Sequence, residues 1–92
     1  QSGEYQRAVP LLVIAAAAYP DNFSVLYRLA CAYDSLGDHA QAVAHFERAL
    51  VLRPKAIKVV RALAYALEQL GERERALACF KRADELEDDE AS

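Results

Sequence analysis

The stretch Phe23–Ala56, FSVLYRLACAYDSLGDHAQAVAHFERALVLRPKA, decides the fold. In its first half Leu26, Leu29, Ala30, Tyr33 and Leu36 recur at three-to-four spacing, the stripe of an amphipathic helix. Gly37 stops that helix where a left-handed residue is wanted. A second stripe follows, Ala42, Val43, Phe46, Ala49 and Leu50, and Pro54 closes it. The same marks return thirty-four residues away on either side. Gly3, Gly37 and Gly71 are in register, as are Ala8, Ala42 and Ala76; Leu12, Phe46 and Phe80; Ala15, Ala49 and Ala83; and Pro20, Pro54 and Asp88. A fixed period of this length marks a repeat architecture.

Small, aromatic, glycine and proline positions recurring together in three copies resemble the tetratricopeptide (TPR) family, a helix–turn–helix repeat, over nearly the whole chain. The resemblance implies an all-α solenoid of antiparallel helix hairpins wound as a right-handed superhelix. The first helix (A) of each repeat would line the concave face and the second (B) the convex one. Residues 1–20 are expected to supply the second helix of an incomplete repeat, 21–54 a complete repeat, 55–88 a complete repeat with a capping last helix, and 89–92 an acidic tail.

Ninety-two residues suit one small domain. Apolar residues make up 54% of the chain, with Ala dominant and Trp, Met and Thr absent, which favours close-packed helices over strands. The net charge is −3, yet residues 1–83 carry eleven Lys and Arg against eight acids, and six more acids crowd into Asp84–Glu90. Nothing in that balance calls for nucleic acid. The apolar run Ala8–Tyr19 is too short to span a bilayer and no signal peptide precedes it, so no membrane insertion is expected. Cys31 and Cys79 fall on different repeat positions and match no metal motif, which suits free thiols and a cytoplasmic location.

In order, Gln1-Ser2-Gly3 reads as a turn, and a first helix runs from about Glu4 to Tyr19 with Pro10 in its second turn. Leu11–Ala18 is apolar on every side, and a helix apolar all round is buried all round. Only one side can be covered by the next repeat, so the chain looks like a fragment. Further helices are expected at about 23–36, 39–53, 56–70 and 73–87, making two and a half repeats. In the last, Ala76, Leu77, Phe80, Ala83 and Leu86 should face inward, and the acidic tail should fray.

No constellation for catalysis emerges. His39 and His45 lie six residues apart on one helix, on different faces at about 100° per residue, and read as solvent-facing. Neither a metal site, nor a cofactor loop, nor a nucleophile with its base is present in the pattern. The expectation is a protein that is not an enzyme.

What remains is surface. Carried over by the resemblance, the inward positions are Ser24, Tyr27, Arg28, Cys31, Asp34 and Ser35 of one A helix, and Lys58, Arg61, Ala62, Tyr65 and Glu68 of the next. Two tyrosines among three cations suit a protein partner with acidic and apolar residues. The family's two-carboxylate clamp for chaperone tails does not carry over: its Asn is Arg28 and its Arg is Ala62, with only Lys58 matching. The sequence therefore points to an interaction module, or adaptor, that binds a peptide or helix in the concave groove. The alternative is a structural, assembly or secretion-type chaperone subunit that pairs with its own copy or a second subunit through Leu11, Val13, Ile14 and Ala17 of the first helix.

Overall fold

The computed structural model describes residues 2–91, which form five helices and, among the described residues, no strand. They are α1 (Ser2–Ala18), α2 (Phe23–Ser35), α3 (His39–Leu52), α4 (Ile57–Gln69) and α5 (Arg73–Ala91). The repeat boundaries expected after residues 20 and 54 fall in the turns between α1 and α2 and between α3 and α4. Each helix packs mainly on the next along the chain, giving an all-α solenoid of antiparallel hairpins with extents of 39 × 27 × 20 Å.

Local chemistry sets the turns. Asn22 caps α2 by accepting from the Val25 amide at 3.1 Å, and Asp38 caps α3 by accepting from the Gln41 amide at 3.3 Å. Gly37 and Gly71 take positive φ, +86° and +80°, at identical helix ends. Beyond Gly37 the Asp38 amide donates to the Tyr33 carbonyl at 2.9 Å, and beyond Gly71 the Glu72 amide donates to the Leu67 carbonyl at 2.9 Å. These are Schellman closures, and they point each B helix back along its A helix.

Packing follows the alanines. Ala30, Ala42, Ala49, Ala64, Ala66 and Ala83 are wholly buried, and around them Leu26, Leu29, Phe46, Val59 and Leu67 fill the space between helices. No polar side chain is buried among the described residues. The core is therefore held by apolar burial and shape alone.

Four expectations are corrected. Gly3 is helical and lacks the positive φ of Gly37 and Gly71, so it is no turn residue; Gln1, which was read with it, lies outside the described residues. The acidic tail does not fray after Glu87 but continues α5 to Ala91, with Ser92 outside the described residues. Leu77 is 67% exposed rather than inward. Its counterpart one repeat earlier, Val43, is buried in the main core, and α3 is packed between α2 and α4 whereas no described helix follows α5. Finally, His39 and His45 are half-buried, the first against Asp34 and the second against the Tyr33 ring at 5.4 Å.

The two kinds of glycine should respond oppositely to alanine. Gly37→Ala forces a side chain into left-handed backbone and should lower stability by about 1 kcal/mol. Gly3→Ala adds helix propensity in open space and should be neutral or raise stability by a few tenths, roughly 0.2–0.5 kcal/mol. Urea unfolding followed by circular dichroism reads both, and equal losses at the two positions would contradict this backbone assignment.

Candidate functional site

Helix α2 borders two apolar clefts, one on each side. The first, about 490 Å³, lies between α1 and α2 and is lined by Tyr5, Ala8, Leu11 and Leu12 opposite Tyr27, Arg28, Cys31 and Ala32. The second, about 610 Å³, lies where the α3–α4 turn meets α2. Phe23 and Tyr27 line it with Arg53, Pro54, Lys55, Ala56, Lys58 and Val59. Tyr27 belongs to both.

The Tyr27 ring is fixed by its neighbours. It lies parallel to Phe23 with centroids 6.2 Å apart and leans on buried Phe46 at 6.1 Å. The Arg53 guanidinium sits 4.4 Å from the centre of the Phe23 ring, a cation–π contact. Burial, with the adjacent Cys31 thiol adding to it, pushes the Tyr27 phenol above its ordinary pKa, and burial likewise pushes the Cys31 thiol up.

The positions expected to face a partner divide into two groups. Tyr27, Arg28 and Cys31 line the first cleft, and Tyr27 and Lys58 line the second. The rest are turned to other work or stand apart. Asp34 accepts from or pairs with His39 across the α2–α3 hairpin, Oδ1 to Nδ1 at 2.6 Å. Arg61 donates from Nη2 to Glu87 Oε1 at 2.7 Å and lies 3.8 Å from Asp84, tying α4 to α5. The Glu87 carboxylate holds the Arg61 pKa up, and Arg61 holds that of Glu87 down. Tyr65 meets Phe80 edge-on at 5.0 Å, while Ser24, Ser35 and Glu68 are exposed and Ala62 is half-buried.

Tyr5, Ala8, Leu12, Phe23, Arg53, Lys55 and Val59 join the clefts without having been expected there. Arg53 and Lys55 flank Pro54, and the helical pattern treats them as turn residues. The register held the missing signal, since it places each inter-repeat turn beside the start of an A helix.

The expected first-helix surface is also divided. Leu11 (69% exposed) opens on the first cleft, whereas Val13 and Ala17 line a smaller cleft on the other side with Tyr33 and His45. Ile14, 66% exposed, lies between them. One and two repeats later, the position of Val13 is Glu47 and Lys81, and that of Ile14 is Arg48 and Arg82. Where the later B helices turn charge to water, α1 turns hydrocarbon.

No group of three or more His, Cys, Asp or Glu could hold a metal among the described residues, and none of the helices there is long and apolar enough to cross a membrane. Cys31 and Cys79 are free.

Two family models, each described as "Tetratricopeptide repeat", match residues 23–56 and 62–90, together more than half of the chain. No curated protein matches. Among solved structures, MamA of AMB-1 superposes with a TM-score of 0.88 at 49% identity, covering 90% of this chain and 49% of that one. MamA of MSR-1 does so with 0.89 at 49% identity, covering 97% and 51%. A further MamA crystal structure gives 0.89 at 32% identity, covering 96% and 52%. The chain thus spans about half the length of these solved chains.

Because burial raises the Cys31 pKa, a smaller share of it is thiolate at any pH below that value, and the thiolate is the nucleophile. In a Cys79→Ser background, Cys31 should react with iodoacetamide at pH 7.5 several-fold (roughly 3–10) more slowly than in the guanidinium-unfolded chain. The native rate should still be climbing above pH 9. Equal rates for native and unfolded chains would show that the thiol is not held in the cleft.

Proposed function

Given that the chain belongs to the tetratricopeptide repeat family, whose members are protein-interaction and scaffold modules, we propose that it holds an extended peptide or a helix of a partner protein in its concave groove. One observation supports this reading best: two apolar clefts flank the same helix and meet at a single aromatic residue, Tyr27. A ligand running across α2 touches both. Arg28 beside one cleft and Lys58 beside the other are exposed and form no ion pair among the described residues, so they suit carboxylates on a partner that also carries apolar side chains. The role involves no catalytic step and no cofactor, and the two half-buried thiols fit a reducing compartment such as the cytoplasm.

Leu11→Glu combined with Arg28→Ala tests the groove, because both side chains are exposed and their loss should leave the fold intact. A partner captured from native lysate by the wild-type chain should be lost at least about tenfold from the double variant. A partner held equally by both would remove the ligand from the groove.

A second reading has its own observation. The apolar substitution of charged outer positions at Val13 and Ile14 suits a helix face that is covered by another protein surface, either a second copy or a different subunit. Restoring the charges of the later repeats with Val13→Glu and Ile14→Arg should turn a concentration-dependent assembly into a monomer by light scattering. A wild-type chain that is monomeric from micromolar to millimolar concentration would end this reading and leave the groove untouched.

A further inference from the structure

We propose that the cleft at the α3–α4 turn is a receptor for one bulky apolar side chain presented between carboxylates on a partner peptide. This rests on the groove reading above and narrows it to a site and a ligand chemistry.

The floor and the rim of the cleft ask for different things. Phe23, Tyr27, Pro54, Ala56 and Val59 supply a hydrocarbon floor, and 610 Å³ falls within the roughly 300–1,000 Å³ of small-ligand pockets. That is ample for a phenylalanine or leucine side chain. The charged residues lining it are Arg53, Lys55 and Lys58, with no acid among them. All three are exposed, and none of their side chains forms an ion pair or hydrogen bond among the described residues. Two other arginines are matched by acids on a neighbouring helix: Glu87 holds Arg61 and Glu47 holds Arg75. The cations round the cleft are left for something that arrives.

Arg53 is already positioned. Its guanidinium is stacked on Phe23, so less side-chain freedom is lost when its N–H groups take a carboxylate. The adjoining end of α4 adds to the positive field instead of opposing it. Ala56 offers no side-chain cap, and the first turn of α4 holds no acid.

A peptide fits better than a nucleic acid. Phe23 has Tyr27 parallel to it and Arg53 over its ring, and Tyr27 leans on Phe46. The ring faces that a base would stack on are therefore already engaged. The net charge of −3 also opposes a phosphate backbone outside this one basic rim.

The probe is a fluorescein-labelled pentapeptide, one phenylalanine flanked by two glutamates on each side, read by fluorescence polarisation at low and moderate salt. Wild type should bind it saturably and more weakly as salt rises. Lys55→Ala with Lys58→Ala should weaken binding about tenfold or more, and Arg53→Ala should weaken it too. Replacing the phenylalanine of the probe by alanine should cost about as much, whereas Arg82→Ala, which removes an exposed cation of α5 outside both clefts, should change binding less than about twofold. Unchanged thermal melting of each variant keeps the comparison about the surface.

Absence of saturable binding to wild type overturns the proposal. So does equal binding of the alanine probe, which would reduce the site to bare charge, or tighter binding of a short oligothymidylate of equal charge. If binding survives the lysine pair but is lost with Leu11→Glu and Arg28→Ala, this cleft is wrong and the groove reading stands. If neither pair of substitutions affects it, both readings fall.

Discussion

Everything in this chain depends on how closely neighbouring helices approach. Ala30, Ala42, Ala49, Ala64, Ala66 and Ala83 are buried to the last square ångström because they stand where one helix meets the next. A larger side chain there would hold the helices apart, and Phe46, Leu26 and Leu67 would no longer close the gaps between them. The clefts beside α2 are a consequence of the same arrangement. They open between α1 and α2 and over the α3–α4 turn, and Tyr27 is held at their junction by Phe46 in the core. Core packing thus places the surface to which function is assigned.

Charge is handled differently from apolar surface. Arg61 and Arg75 spend their donors on Glu87 and Glu47, joining α4 to α5 and α3 to α5. Such exposed pairs set the angle between helices more than they hold the fold together. Among the described residues Arg28, Arg53, Lys55 and Lys58 have no such partner, and they are the cations beside these two clefts. The acids are concentrated on α5, away from them in sequence. A small chain with a modest net charge therefore still presents a locally basic edge.

The repeat made most of the fold legible. Gly37 and Gly71 announced their left-handed turns, and the stripes through Leu29 and Phe46 announced the buried faces. The register misled where equal positions have unequal neighbours. Gly3 shares the phase of Gly37 but extends a helix, and Leu77 shares the phase of buried Val43 while no described helix follows α5. The acidic residues past Glu87 mark a tail expected to fray, yet the α5 backbone carries them on to Ala91. The site was legible only in part, for a related reason. That Tyr27, Arg28 and Lys58 border clefts follows from helix phase alone. That Arg61 is occupied depends on Glu87, twenty-six residues away, and no local pattern reports it. Arg53 and Lys55 were hidden by their place around a proline, where helical periodicity is silent.

Since each helix is braced chiefly by its sequence neighbours, the molecule behaves as a short spring rather than a block. Small rotations at successive hairpins add along the axis, while the core within each pair stays intact. The curvature of the inner face is then a soft coordinate. A guest lying across α2 would bear on two adjoining joints through one tyrosine, and its binding energy would be felt as a change of pitch along the whole coil.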